Sequence, residues 1–416
     1  MSSLTLDTTR RSGSAVASRS DGPFFSVLCG ALVVQSLFTF IYHLSGSPAF
    51  YAISNTVAIV LIGYALVTVL RSDRQGSASM TFLVVSVVAT LLSVICNLPN
   101  ASMTDVLKYL SLYIFYAAGR CSRTPFRSVE LYCLYALAAL PIAFMAGGTS
   151  KIWDPEAVGY LPNANIAVLH FCALLFAATP VFGNQVILLQ LLNAALMNKI
   201  GAIVATMIAI CMWVAVPLRR ESIISGVVIL ALGMIAFLFG AFDRSIIAFD
   251  GLVFALNLDP RSVTSISYQN LVLLTGSTDL SGFFRLIHWT NIWDLYSSGG
   301  IGTWIFGYGP GQTPALTYAG LVPHNDYLRI LVEYGPVNLV IFVCFLAHVR
   351  AALTIGAAKI LFVVLCIYFL SENLLDSFTS MTLFFAYAGR MTAGGVCGIS
   401  TKFEPQPVTM MGRTPP

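Results

Sequence analysis

Charged residues are scarce in this sequence: Asp, Glu, Lys and Arg together make up 10% of its 416 residues. Hydrophobic residues make up 57%, and the mean hydropathy is +0.82. A chain with so little charge cannot cover its surface as a soluble protein of one to three domains does. The composition therefore excludes that class and predicts a polytopic membrane protein.

The sequence also lacks a cysteine framework. Its nine cysteines show no Cys-x-x-Cys or Cys/His spacing, and none lies between Asp243 and His324. We therefore expect neither disulfides nor a metal site, and no cofactor. The net charge of +4 is spread along predicted helix ends, which argues against a nucleic-acid partner.

Long apolar runs are what the sequence has in abundance. A transmembrane helix needs about 20 apolar residues, and fewer where it is buried in a bundle. The runs predict twelve transmembrane helices, at 24–43, 50–70, 79–98, 105–119, 129–147, 164–182, 184–198, 200–217, 222–242, 326–347, 358–375 and 380–396. No signal-peptide cleavage site follows the first run. The fold class is thus all-α.

The sequence divides into five predicted segments. A disordered cytosolic tail at 1–22 precedes helices one to nine within 23–242. A large outer loop at 243–324 follows, and after it come helices ten to twelve within 325–397 and a cytosolic tail at 398–416.

The basic residues set the expected orientation. With the N-terminus inside, fifteen of the 22 Lys and Arg residues fall on the cytosolic side, and this bias places 243–324 outside. The other seven lie outside or within helices, and they are Lys108, Lys151, Lys199, Arg244, Arg261, Arg285 and Arg329.

The outer segment carries aromatic and glycine residues. Trp289, Trp293 and Trp304 lie in it, and flat rings beside polar groups suit stacking on sugars. An aromatic belt at the membrane interface is the alternative. Six glycines between Ser297 and Gln312 predict a turn-rich piece whose backbone can approach a ligand.

Three polar side chains on the outer side are candidate site residues. Lys199 interrupts an apolar run, Arg285 stands in a predicted interfacial helix, and His324 precedes the tenth predicted helix. Cations at such depth usually face a cavity or an anion, although snorkelling to the headgroups is the alternative. For His324 the alternative is a helix cap. Arg329 and Glu333, spaced i, i+4, would equally fit a buried salt bridge.

These residues occur in an order that resembles a known family. The chain reads Asn198-Lys199-Ile200-Gly201-Ala202, then Arg285 and Trp289, then Trp304-Ile305-Phe306-Gly307-Tyr308-Gly309-Pro310-Gly311, and then His324-Asn325-Asp326-Tyr327-Leu328 followed by Glu333-Tyr334-Gly335. With Leu161-Pro162-Asn163-Ala164-Asn165, this order is similar to the O-antigen ligase and Wzy-type polysaccharide polymerase superfamily. The resemblance covers about Pro162 to Gly389.

The resemblance implies a GT-C-like bundle of about twelve transmembrane helices, with a large periplasmic loop between the ninth and tenth. It also implies a metal-independent inverting glycosyltransferase that acts on undecaprenyl-diphosphate-linked oligosaccharides. By matching motif, His324 and Arg285 would be catalytic: His324 would act on the acceptor hydroxyl, and Arg285 would hold the diphosphate together with Lys199. The family usually has Ser-Arg where this chain has Asn198-Lys199, and lysine loses the bidentate fork of arginine. The expected substrate-binding residues are Lys199, Trp289, Gly307, Gly309, Asn325 and Arg329.

Several functions stay open on the sequence. A repeat-unit polymerase of the bacterial inner membrane is preferred, with a chain-length regulator and a flippase as candidate partners. A ligase that transfers the glycan to lipid A-core and a protein O-glycosyltransferase share the same donor chemistry. A transporter or flippase of lipid-linked sugars is the alternative of another class, and Lys108, Glu372 and Asp376 are the residues that would support it. Glu372-Asn373 would equally fit the lining of an outer cavity.

Overall fold

The computed structural model describes residues 23–72, 78–122, 124–147, 161, 163–197, 199–214, 268–275, 281–317 and 320–393. All secondary-structure elements assigned within these ranges are helices, which confirms the all-α prediction. The predicted ninth helix at 222–242, the two predicted tails and part of the predicted outer loop lie outside the described residues.

The α-helices of the described residues are numbered in chain order. The first eight are α1 Phe24–Ser45, α2 Pro48–Leu70, α3 Ala78–Cys96, α4 Met103–Cys121, α5 Ser128–Gly147, α6 Ala164–Phe182, α7 Gln185–Leu196 and α8 Ile200–Val214. The segment before His324 contains α9 Tyr268–Thr275, α10 Ser281–Ser297, α11 Ile301–Phe306 and α12 Thr313–Leu316. The remainder are α13 Asp326–Tyr334, α14 Pro336–Ala352, α15 Gly356–Tyr368 and α16 Phe378–Thr392, with a 3-10 helix at Leu374–Asp376.

Several of these helices are apolar enough to cross a membrane. Four of them, α1, α2, α3 and α6, reach 18 residues with a suitably apolar window. Shorter apolar helical segments occur at Ser128–Phe144, Gln185–Leu196, Gly201–Met212, Pro336–Ala352 and Gly356–Tyr368. The protein is therefore a multi-pass membrane protein, while the total of twelve spans stays a prediction.

The tenth and eleventh predicted helices were wrong in their bounds. The tenth breaks at Gly335-Pro336 into α13 and α14, because Gly335 has a φ of +86° and Pro336 starts a new helix. A Cβ on Gly335 would lie 2.2 Å from the carbonyl oxygen of Ile305, so the break also seats α11. The eleventh ends at Tyr368, and the chain turns before the 3-10 helix.

The helices position charged residues at two ends of the bundle. At one end, Arg390 of α16 donates to Glu130 of α5 at 2.6 Å. At the other end, Arg329 of α13 donates to Asp105, at the start of α4. We call these the Arg390 end and the Arg329 end.

Helices α4 and α16 run side by side from the Arg329 end to the Arg390 end. Gly119 allows their close approach, since a Cβ there would lie 2.0 Å from the carbonyl oxygen of Ala386. At the Arg329 end, Asp376 lies just before α16 and reaches Arg329, which also contacts α4. The functional side chains described below are therefore held on the ends of packed helices.

Candidate functional site

Arg329 is the centre of a buried ion cluster. Its Nε donates to Glu333 at 3.2 Å, its Nη1 to Asp376 at 2.8 Å and its Nη2 to Asp105 at 3.0 Å. The Arg329 side chain is only 4% exposed. The i, i+4 salt bridge considered for Arg329 and Glu333 is thus present. Because every guanidinium nitrogen already bonds a carboxylate, these contacts favour a structural role and give its predicted substrate-binding role no support.

Lys108 completes this cluster on its solvent side. Its Nζ lies 2.5 Å from Asp376 and 3.4 Å from Asp105. Burial alone would raise the pKa of the Asp376 carboxyl, but Arg329 and Lys108 outweigh it and hold this pKa below its usual range. Asp376 is therefore ionised at neutral pH, and it neutralises both cations.

The glycine-rich turn after α11 is packed against α13. Gly307 has a φ of +73°, and a Cβ there would lie 2.5 Å from the backbone of Glu333. The N–H of Gly309 donates to the Glu333 carbonyl oxygen at 3.0 Å, and the N–H of Gly311 donates to its carboxylate at 3.0 Å. These amides are already paired within the protein. The turn therefore does not present them to an anion, and the expected substrate-binding role of Gly307 and Gly309 gains no support from their contacts.

Helix α10 is fastened to the segment before α13 by two neighbouring side chains. His288 places its Nε2 3.2 Å from the carbonyl oxygens of both Leu321 and Val322. The indole Nε1 of Trp289 donates to Pro323 at 2.5 Å. Burial lowers the pKa of His288 and outweighs these two hydrogen bonds, which act in the opposite direction. Because its indole N–H bonds the Pro323 carbonyl oxygen, Trp289 helps to hold α10 in place. The predicted contact of Trp289 with substrate stays a prediction.

Arg285 and His324 are brought together by Glu372. The Oε1 of Glu372 accepts a hydrogen bond from Arg285 Nη2 at 2.7 Å and another from Asn165 of α6. Its Oε2 lies 3.9 Å from His324 Nδ1. Asn373 approaches the same nitrogen at 3.3 Å through its Nδ2. The Glu372 side chain is 3% exposed, whereas those of Arg285 and His324 are each 28% exposed, so a buried carboxylate supports two accessible residues.

The backbone around His324 is unusual. With a φ of +52°, His324 is the only non-glycine residue with a positive φ in the described ranges. The Oδ1 of Asn325 then accepts from Leu328 N–H at 3.0 Å and caps α13. Asp326 accepts from the N–H groups of Leu374 and Leu375 at 2.6 and 3.1 Å. These bonds fix the segment that bears His324 against the segment that bears Glu372. They give Asn325 a role as a helix cap, and its expected substrate-binding role stays a prediction.

Lys199 lies between α7 and α8, at the break expected from the sequence. Asn193 of α7 donates to the carbonyl oxygen of Val168 on the antiparallel α6 at 3.1 Å. Because the two helices are antiparallel, Asn165 near the start of α6 and Lys199 just after α7 both lie closer to the Arg329 end than this contact does. Within the described part of the chain, no carboxylate is in ion-pair range of Lys199. The structure thus places Lys199 at the same end of the bundle as Arg285.

From the sequence, Glu372 had two alternative roles, in a transporter or, together with Asn373, in the lining of an outer cavity, and Asn165 had no individual role. Glu372 is 87 residues from Arg285 along the chain, and Asn165 is 207 residues from Glu372. The available signal was the isolation of Glu372 after an apolar helix, since a buried acid needs a partner. That signal could not name which cation would pair with it.

Part of the chain matches a known protein family. Residues 185–343 match the family model described as O-antigen ligase. No curated protein matches the chain. The matched range includes Lys199, Arg285 and His324 and ends before Glu372. It confirms the resemblance drawn from the sequence.

Proposed function

We propose that the protein is a polysaccharide repeat-unit polymerase that joins undecaprenyl-diphosphate-linked oligosaccharides at the outer face of the bacterial inner membrane. The observation that carries this proposal is the pair of accessible side chains, Arg285 and His324, on either side of buried Glu372. The family match over residues 185–343 supports the same chemistry.

Arg285 would hold the departing diphosphate. Charge develops on the leaving oxygen as the glycosyl–diphosphate bond breaks, and fixed cations stabilise it without reorganisation. Arg285 is partly exposed and held by α10, so a phosphate can reach it. Lys199, which has no carboxylate partner among the described residues, would supply a second positive charge.

His324 would act as the general base. Its Nδ1 faces Glu372 and Asn373, which leaves Nε2 for the acceptor sugar hydroxyl. As the hydroxyl oxygen forms a bond to the anomeric carbon, its proton passes to Nε2, and the bonding electrons of the old linkage leave on the diphosphate. An imidazole whose Nε2 carries no proton can accept the proton of the hydroxyl.

Glu372 would couple the two residues. In the present structure its carboxylate pairs with Arg285, and a bound diphosphate would compete for the same guanidinium. The carboxylate would then be freer to accept a hydrogen bond from His324 Nδ1–H, now 3.9 Å away, and this bond would replace the contact between Asn373 Nδ2 and the same nitrogen. That bond fixes the tautomer with an unprotonated Nε2, so donor binding would prepare the base.

The distribution of cations supports an outer location for the site. Helix directions place six described cations at the Arg390 end, and these are Arg71, Arg120, Arg127, Arg350, Lys359 and Arg390. Four others, Lys108, Lys199, Arg285 and Arg329, belong to the Arg329 end. By the positive-inside rule the Arg390 end faces the cytosol, together with the start of α1 and the end of α16.

The transporter alternative loses its supporting residues. Lys108, Glu372 and Asp376 all lie at the Arg329 end, where they are paired with neighbouring charges. Transporters usually place such groups near the middle of the membrane. The ligase alternative keeps its support, because the matching family is described as O-antigen ligase and would need the same donor site.

The decisive experiment is deletion of the gene followed by electrophoresis of the surface glycan. A polymerase deletion leaves single repeat units, whereas a ligase deletion leaves a full-length lipid-linked polymer that is absent from lipid A. Purified protein supplied only with the lipid-linked repeat should form a ladder of products. Absence of that ladder, together with transfer onto lipid A-core, would contradict the polymerase proposal and support the ligase.

A further inference from the structure

Tyr368, the last residue of α15, is buried with an unpaired hydroxyl group. It is 3% exposed, and its hydroxyl oxygen has no hydrogen-bond partner among the described residues. Tyr387, which is also buried, shows the usual arrangement, because its hydroxyl donates to Glu130 at 2.8 Å. A buried hydroxyl without a hydrogen bond is unfavourable. The position of Tyr368 therefore favours a second state of the site in which this hydroxyl is bonded.

Tyr368 lies one helical turn before Glu372. The backbone N–H of Glu372 donates to the Tyr368 carbonyl oxygen at 3.0 Å, and side chains spaced i, i+4 across such a bond face the same side. The ionisable groups that act electrostatically on the Tyr368 hydroxyl are Cys172, Glu372 and Arg285. Arginine has no acceptor atom, and a thiol sulfur is a weak acceptor. Within this set, the Glu372 carboxylate is the strong acceptor for the hydroxyl.

The donors to Glu372 would change when a diphosphate binds. Its Oε1 now accepts from Arg285 Nη2 at 2.7 Å and from Asn165. The Arg285 side chain is 28% exposed and can reach an anion, whereas the Glu372 side chain is 3% exposed. If the diphosphate takes Arg285, the carboxylate stays buried and loses its charged donor. A buried carboxylate in that condition needs a replacement donor from inside the protein.

We propose that the Tyr368 hydroxyl donates to Glu372 Oε1 once the donor diphosphate has drawn Arg285 away. This inference rests on the proposed glycosyl transfer at Arg285 and His324. Tyr368 is a positioning residue, because its burial keeps it from the sugar and the diphosphate. Its bond holds Glu372 so that Oε2 stays toward His324 Nδ1. A hydroxyl that donates to a carboxylate makes a charge-assisted bond, and this bond stabilises the donor-bound site.

Tyr368→Phe tests the proposal, because it removes one oxygen atom and keeps the ring. In the full chain in lipid nanodiscs, the variant should unfold at the wild-type temperature or slightly above it, since an unpaired hydroxyl adds no stability. The Kd of undecaprenyl diphosphate, the product lipid, should rise about tenfold, because a charge-assisted bond is lost only from the bound state. The kcat/KM for the lipid-linked donor should fall by a similar factor.

Tyr387→Phe is the matched control. At the Arg390 end, Tyr387 already makes the kind of bond that is proposed for Tyr368, from a tyrosine hydroxyl to a buried glutamate, Glu130. Its loss should lower the unfolding temperature and leave the Kd of undecaprenyl diphosphate unchanged. The two substitutions remove the same atom. Their opposite effects on stability and on binding would separate a bond made without the donor from a bond made only with it.

A double-mutant cycle tests whether Tyr368 acts through Glu372. In Glu372→Gln, the neutral amide is a weaker acceptor and carries no charge that needs a replacement donor. Adding Tyr368→Phe to that variant should change the Kd of undecaprenyl diphosphate by less than about threefold. An undiminished loss of affinity in the Glu372→Gln background would overturn the proposal.

Two results with Tyr368→Phe alone would also overturn the proposal. Wild-type values of Kd and kcat/KM would show that the hydroxyl has no part in donor binding. A lowered unfolding temperature, whatever the kinetics, would show that the hydroxyl is already bonded without the donor. The polymerase function fails separately, if the wild-type protein does not extend the lipid-linked repeat. Because a ligase uses the same donor, the Tyr368 comparison is then made with lipid A-core as the acceptor.

Discussion

Glu372 and Arg285 form a 2.7 Å ion pair in which the carboxylate is 3% exposed and the arginine side chain 28% exposed. The buried partner is held in place by Asn165, whereas the exposed partner can exchange this carboxylate for another anion. An arginine that is already oriented, but not enclosed, is suited to bind a substrate phosphate without a large rearrangement.

Replacement of His324 by Ala should abolish chain extension. Loss of a general base typically lowers the rate by about 10²- to 10⁴-fold. Because His324 is partly exposed, the variant should still accumulate in the membrane. Glycan length on gels and the membrane level of the protein are the measurements, and polymer of normal length would contradict the assignment.

Arg285→Lys should lose part of the activity, because lysine keeps the charge but cannot bind a phosphate in a bidentate manner. The variant should raise the KM for the lipid-linked donor in a nanodisc assay. Lys108→Arg is a control at the same end of the bundle, since Lys108 already binds Asp376 and Asp105. Full activity in Arg285→Lys would indicate that this residue only anchors α10 at the interface.

Glu372→Gln should separate donor binding from turnover. Without the competing negative charge on Arg285, the KM for the donor should fall. Turnover should also fall, because His324 Nδ1 loses the carboxylate that orients it. A variant that unfolds would lower both the protein level and all activity, and a variant with unchanged kcat would refute the coupling.

Arg329→Met should destabilise the protein. The substitution removes the guanidinium that neutralises three carboxylates. Of these, Glu333 is fully buried, and Asp105 and Asp376 are partly buried. Breaking a buried ion pair by removal of one partner costs about 3–5 kcal/mol. Thermal unfolding in detergent measures this loss, with Lys108→Met as the more exposed comparison. A normal unfolding temperature for Arg329→Met, combined with weaker substrate binding, would instead favour the substrate-binding role.

Gly307→Ala should disturb the turn between α11 and α13. The added methyl group would meet the Glu333 backbone, at a φ that favours glycine. Gly300→Ala is the matched control, because a Cβ at Gly300 has no neighbour within 4 Å. Only Gly307→Ala should lower the unfolding temperature. Equal stability of the two variants would show that the turn can adapt.

The hydropathy pattern of the sequence predicted some helix boundaries correctly and missed others. The break at Lys199 was correct, because a polar interruption is visible in an apolar run. The tenth predicted helix was wrong because hydropathy continues across Gly335-Pro336, although this dipeptide is itself a signal of a helix boundary. Arg285 and His324 were found through the order of motifs, which carries no information about Glu372.

The sequence by itself determined that this is an all-helical multi-pass membrane protein, because hydrophobic content and helix length are properties of short stretches that add along the chain. Only the tertiary structure decided which charges meet. The i, i+4 pair of Arg329 and Glu333 was visible in the sequence, but the contacts of Arg329 with Asp105 and Asp376 were not. Glu372 likewise contacts Arg285, Asn165 and His324, which lie far from it in the chain. Ion pairing depends on separations of a few ångströms, and these are fixed only when the helices pack.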